Sequence, residues 1–356
     1  MRADRLAGSQ PLSVLFVTIG DETVASSRVR VLQYVPHLER AGIRSRVVIY
    51  RGSKAARAQA LARMLWLAPQ HRVVVVQKAY LPIPAQWLLA ACNPRLVFDF
   101  DDALYTADPL WPAALARLVS DLGRPRLEHV LARSRLALTA SDATAAFAAR
   151  LCPRVLRIPG PIDTDRYVPA PRATANPERT VVGWIGSPFT TPYVKTLLPG
   201  FAELARRHPQ VAIRLIGADR FEVGNLPVTF TPWSLATECA ELRSLDIGLM
   251  PLPDNEWTRG KGGYKLLQYM AVGIAAVASP VGINREILRD GVNGFWATTE
   301  AEWVERLHRL ITDRHLREEM GRRGRAIAEN EYSFHRSAPV LIAALRRVAA
   351  AGRRAP

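Results

Sequence analysis

From Asp246 to Ala297 the chain reads DIGLMPLPDNEWTRGKGGYKLLQYMAVGIAAVASPVGINREILRDGVNGFWA, with glycines and cations spaced to hold an anion. Gly260, Gly262 and Gly263 precede an apolar-periodic stretch that predicts a helix over Tyr264 to Val272. Glycines at a helix start let backbone N–H groups approach a phosphate closely, and the helix dipole favours that charge. Arg259 and Lys261 flank the turn, and Lys261, Lys265 and Gln268 fall on one helical face while Leu266, Leu267 and Met270 cover the core. A diphosphate over the two lysines and a ribose over Gln268 suit that face. A solvated polar face is the plainer reading of the same spacing.

A second group is acidic. Phe98 to Tyr105, FDFDDALY, places Asp99, Asp101 and Asp102 at the end of an expected strand. Asp101 and Asp102 are candidates to orient or deprotonate a hydroxyl acceptor, a general-base task for a partly buried carboxylate. The alternative is a strand-end carboxylate that caps the next helix, and Asp99 is assigned a structural role. Gln77 and Lys78 end the preceding strand, where a parallel sheet faces its ligand. ASSRVR, with Ser26, Ser27 and Arg28, follows the first strand at a helix N-terminus, a second place for acceptor contacts. In VGWIGSPFTTPY, Gly186, Ser187, Thr190 and Thr191 either touch phosphate or cap a helix. None of the seven histidines has the spacing of a metal site or nucleophile pair.

The elements that must position these groups alternate. Short β-branched runs are expected as strands at Val14 to Thr18, Arg46 to Tyr50, Val73 to Gln77, Leu96 to Phe98, Leu136 to Thr139 and Val155 to Ile158. Helical patterns lie between them near Arg28 to Ala41, Ala55 to Leu67 and Pro112 to Arg133. Prolines 159, 161, 169, 171 and 177 then mark a stretch without periodicity. A second cycle follows, with strands at Thr180 to Ile185, Val211 to Ile216, Val228 to Phe230, Ile247 to Met250 and Ile274 to Ala278. Helices are expected up to His208, near Leu235 to Leu242, and from Glu300 onward. Two doubly wound α/β units, each with its strand ends toward one cleft, account for this alternation.

Composition narrows the setting. A chain of 356 residues with 49% hydrophobic and 22% charged residues supports two ordinary globular cores. Cys92, Cys152 and Cys239 form no metal or disulfide pattern, which points to a reducing cytoplasm. Met1 to Gln10 carries charges without an apolar signal segment, so a cytosolic location is expected. The net charge of +16 calls for an anionic partner or surface, yet the arginines are scattered over helices. The plainest reading is that these arginines decorate solvated helix faces; an acidic membrane surface is the next candidate, ahead of specific nucleic-acid binding, for which no aromatic-interleaved basic motif is present.

The text KLLQYMAVGIAAVASPVG, followed by INREIL and DGVNGF, resembles the retaining GT-B enzymes of glycosyltransferase family 4. VGWIGS, IPGPIDTDRY (Ile158 to Tyr167) and the turn at Glu331 to Phe334 resemble other segments of that family in order. The resemblance implies the GT-B fold, with an acceptor-side Rossmann-like domain at 1–168, a linker at 169–179, a nucleotide-sugar domain at 180–332, and a helix at 333–356 crossing back. It implies transfer of a sugar from a nucleoside-diphosphate sugar, the co-substrate, to a hydroxyl acceptor with retention, and a donor contact by Glu286. Polysaccharide or envelope glycan synthesis is the expected setting, with a glycan or lipid-linked acceptor. The family carries two glutamates eight residues apart on the donor helix, and here Gly260 and Gln268 stand in their places.

Positive charge at the diphosphate then falls to Arg259, Lys261 and Lys265, with Lys195 a weaker candidate, so no metal or other cofactor is expected. Lys261 is counted with Asp101 and Asp102 as catalytic, because charge develops on the leaving diphosphate. The acids can also be read as the DxD metal motif of the single-domain GT-A transferases. Two further readings compete: a nucleotide-sugar-binding protein with impaired catalysis, suggested by the missing first glutamate, and a GT-B-shaped epimerase.

Overall fold

The computed structural model describes residues 11–170 and 179–351. The charged N-terminal stretch Met1 to Gln10, residues 171–178 of the expected linker, and residues 352–356 lie outside the described residues.

Six parallel strands form the first sheet: β1 (Ser13–Thr18), β2 (Arg44–Ile49), β3 (Val73–Gln77), β4 (Leu96–Phe100), β5 (Leu136–Thr139) and β6 (Val155–Arg157), in the order β2-β1-β3-β4-β5-β6. The second has β7 (Thr180–Ile185), β8 (Val211–Ile216), β9 (Val228–Thr231), β10 (Ile247–Met250), β11 (Ala275–Ala278) and β12 (Gly294–Trp296), in the order β12-β11-β10-β7-β8-β9. Strand order reverses between β1 and β3 in one sheet and between β7 and β10 in the other. Those switch points are where open parallel sheets bind ligands.

Parallel strands are buried on both faces, which is why unbroken runs such as Val73 to Gln77 form them. Val74 and Val76 turn to one side, into a core with Met64, Leu89 and Leu131. Val73 and Val75 turn to the other and meet Phe334, Leu341 and Leu345 of helix Phe334–Ala350. The C-terminal segment therefore supplies a layer of the N-terminal core. Tyr34 meets Phe334 edge to face at 4.8 Å.

Several elements differ from the sequence reading. The helix expected over Arg28 to Ala41 is broken into Ala25–Arg30, a 3-10 turn at Leu32–Tyr34 and Val35–Arg40, because Val31 leaves helical geometry at φ −132° and Pro36 cannot donate into the preceding turn. Helices Ile83–Cys92 and Asp142–Ala149 and strand β12 were not anticipated. Glu256–Arg259 adds a short helical turn ahead of the glycines, capped by the Asn255 side chain on the Thr258 N–H at 2.9 Å.

Candidate active site

The N-terminal wall begins where β3 and β4 end. Lys78 has φ +57°, the one non-glycine residue with positive φ among those described, and its N–H donates to Asp99 O at 2.8 Å. A left-handed conformation at a lysine is costly and must be held by its surroundings. Here the ammonium lies 2.9 Å from Asp101 Oδ1 and is hydrogen-bonded to Asp102 Oδ2. Burial pulls the Lys78 pKa down, but the two carboxylates outweigh it and leave it raised. Asp99 is only 1% exposed and is gripped by Arg30 Nε at 3.1 and 3.2 Å, so it fastens helix Ala25–Arg30 to β4.

The proposed acceptor-side residues separate. Ser26 lines a small cavity of about 60 Å³ with Asp101, Ala140, Gly160, Gly262 and Tyr264. Ser27 donates to Gln77 Oε1 at 3.1 Å with both side chains fully buried, which makes them part of the wall and not of its surface. Arg28 turns to the other half of the molecule.

The C-terminal wall meets these acids directly. A Cβ on Gly260 would lie 2.5 Å from Ala103 Cβ, and one on Gly262 3.3 Å from Ala140 Cβ. The Ser141 hydroxyl donates to Gly260 O at 3.2 Å. These glycines thus allow two backbones to approach across the cleft, besides leaving room for a phosphate. Gly263 has φ +67° and starts helix Tyr264–Ala271. Lys261 Nζ sits 5.1 Å from the Trp257 ring and Lys265 Nζ 5.4 Å from that of Trp184.

Burial, helped by neighbouring Lys261, brings the Lys265 pKa down to about 7. Across the cleft burial pushes Asp102 up, yet Lys78, Lys261 and Lys265 outweigh it and leave the pKa at about 2. Three lysines and two aspartates therefore converge from both halves on one place. That leaves positive charge for an incoming anion.

Other donor-side candidates are distributed around this centre. A Cβ on Gly186 would collide with the Trp184 ring at 2.2 Å, so glycine is needed there for packing. Thr190 Oγ1 donates to Ser187 O at 3.0 Å and accepts from its N–H at 3.2 Å, a cap on the short turn that follows. Thr191 accepts from the Asp219 N–H at 3.0 Å, and Lys195 lies over Phe221 at 4.7 Å. Arg259 pairs with Asp254 at 2.6 Å, and Glu286 with Arg157 at 2.8 Å. Both line a side cavity of about 530 Å³.

Gln268 is buried, and its amide donates to Glu238 Oε1 at 3.1 Å. Glu238 also takes hydrogen bonds from Arg28, Tyr167 and Trp233, joining both halves and the segment between them. Sequence reasoning did not find Glu238, which begins an ordinary helix, Glu238–Arg243. It also missed an aromatic seam in which Trp111 meets Trp257 at 4.6 Å and Phe189 at 6.0 Å while the Tyr193 hydroxyl bonds Asp108. Among the described residues no cluster of three or more His, Cys, Asp or Glu side chains could hold a metal ion.

Residues 179–313 match the family model for Glycosyl transferases group 1. Sucrose-phosphate synthase from Thermosynechococcus elongatus superposes with a TM-score of 0.74 at 13% identity, over 96% of this chain and 100% of that one. Anabaena HepE in complex with UDP and glucose gives 0.68 at 18% identity, over 94% and 100%. WaaG, a glycosyltransferase involved in lipopolysaccharide biosynthesis, gives 0.67 at 14%, over 92% and 99%. No curated protein matched the chain by sequence.

Proposed function

We propose that this chain, whose residues 179–313 match the Glycosyl transferases group 1 model and whose two sheets share the fold of GT-B glycosyltransferases, transfers a glycosyl group from a nucleoside-diphosphate sugar to a hydroxyl acceptor with retention of configuration. The observation that carries the reading is the meeting of Lys261 and Lys265, at a helix start, with Asp101 and Asp102 across the cleft. The lysines and the helix dipole stabilise charge that develops on the leaving diphosphate, an electrostatic contribution that needs no metal. Asp102, held at a low pKa by three lysines, is a poor proton acceptor. Its service is to orient the acceptor hydroxyl with Asp101, and retention rests on the resemblance to family 4.

HepE is described in complex with UDP-glucose, so UDP-sugars are the donors to try first. Incubation with labelled UDP-sugars and a chelator should yield slow donor hydrolysis, rising to transfer when a suitable hydroxyl acceptor is added. Absence of both with every nucleotide sugar bound would favour the competing reading of a binding protein. That reading draws support from Gly260, whose tight contact with Ala103 leaves no room for a carboxylate side chain in this arrangement.

A lipid-linked or envelope acceptor would place the enzyme at an acidic membrane surface. No helix among the described residues is long and apolar enough to cross a membrane. Helices Lys54–Leu67, Ile83–Cys92 and the stretch Ala113–Arg133 nevertheless expose Trp66, Trp87, Leu88, Leu118 and Leu122 among seven basic and two acidic side chains. Apolar anchors ringed by cations suit the interface of an anionic bilayer. Sedimentation with anionic vesicles at low salt should capture the protein, and salt or Trp87→Glu should release it. Equal recovery with neutral vesicles would count against this attachment.

A further inference from the structure

Glu238 is 2% exposed and receives five hydrogen bonds from four side chains: Arg28, Tyr167, Trp233 and Gln268. Guanidinium and indole N–H groups can only donate, so the carboxylate is the acceptor toward its neighbours. The Gln268 amide must therefore present Nε2 to Glu238. Its Oε1 is turned away, and no described residue donates to it.

We propose that Glu238 is a positioning residue that fixes the flip of the Gln268 amide, so that Oε1 accepts a hydrogen bond from the donor's ribose hydroxyls. The inference rests on the donor-site reading above and adds to it the residue that sets the polarity of the ribose contact. An amide free to rotate would offer N–H or C=O in turn, whereas a ribose hydroxyl that donates needs the oxygen. Glu238 removes that choice. A carboxylate at position 268 would instead face Glu238 at the 3.1 Å now spanned by the amide hydrogen bond, and the like charges would repel. Trp233 and Arg28 donate to the same Glu238 oxygen, so the pair works with the acid at 238 and the amide at 268.

Calorimetry with UDP, GDP and ADP identifies the nucleotide that the parent binds, and its 2′,3′-dideoxy analogue then isolates the hydroxyls. The parent should prefer the hydroxylated nucleotide by about tenfold, the scale of one hydrogen bond. Glu238→Ala, which removes the acceptor, should lose most of that preference and bind the dideoxy compound as the parent does. Gln268→Glu should melt at lower temperature. Should Glu238→Ala not fold, Glu238→Asp draws the carboxylate back while keeping its charge toward Arg28, and should lose the preference in part.

A preference retained in folded Glu238→Ala, or in Glu238→Asp where Glu238→Ala does not fold, overturns the proposal. Binding by the parent with no preference for the hydroxyls also defeats it while sparing the donor site. A parent that binds none of the three nucleotides overturns the donor-site reading itself.

Discussion

The two halves of the molecule meet through carboxylates in two places, and the two are built differently. At the cleft centre Asp102 keeps a side-chain exposure of 24% and faces Lys78, Lys261 and Lys265, with Asp101 beside it on Lys78. At the Glu238 node the side chain is 3% exposed, and Arg28, Tyr167, Trp233 and Gln268 complete its hydrogen bonding. A buried carboxylate saturated by protein donors holds parts together. A partly exposed one among several cations marks where a ligand's charge completes the balance.

The difference predicts where substitutions act. Asp102→Asn and Asp101→Asn, each misorienting the acceptor hydroxyl, should lower kcat on the order of a hundredfold, while nucleoside-diphosphate affinity stays within about threefold. Steady-state kinetics beside calorimetry separates the two, and unchanged turnover in both variants would make the cluster structural.

A backbone change at the same seam should be felt next. Gly260→Ala forces a Cβ to 2.5 Å from Ala103 and should cost about 1 to 3 kcal/mol of stability, whereas Gly262→Ala, with 3.3 Å to Ala140, should cost distinctly less. Equal melting temperatures for the two would show that the halves do not approach this closely.

The smallest effect is in pH. Lys265 titrates at about 7 in the free protein, and a bound diphosphate must raise that value. Above pH 7 binding therefore takes up a proton, so affinity should fall as pH rises, by at most about tenfold per unit. Lys265→Ala should flatten the slope, and a slope unchanged in that variant would remove Lys265 from the diphosphate.

Much of the frame was legible because parallel strands buried on both faces leave unmistakable runs. Val73 to Gln77, Leu136 to Thr139, Thr180 to Ile185, Val211 to Ile216 and Ile247 to Met250 form strands with the expected limits. Ile83–Cys92 and Asp142–Ala149 escaped because one is apolar nearly throughout and the other is mostly alanine, so neither shows a clear polar face. The lysines and glycines at 260 to 265 stood out by spacing. Their second duty, close approach to Ala103 and Ala140, depends on a partner some 120 to 160 residues earlier and leaves no local mark. Glu238 is harder still, since a glutamate at a helix start is ordinary until Arg28, Tyr167 and Gln268 are folded onto it. Ser27 and Gln77 show the converse: strand-end and helix-start positions suggested the cleft surface, and mutual hydrogen bonding buries both.

Calorimetry of nucleoside, nucleoside diphosphate and nucleotide sugar against Lys261→Ala, Lys265→Ala and Gln268→Ala tests the donor site most directly. Each lysine variant should bind the diphosphate roughly ten- to a hundredfold more weakly, as expected for a charge-assisted hydrogen bond, and the nucleoside almost unchanged. Gln268→Ala should weaken nucleoside and diphosphate alike. If both lysine variants remain folded and bind the diphosphate as tightly as the parent, the donor does not lie at this turn.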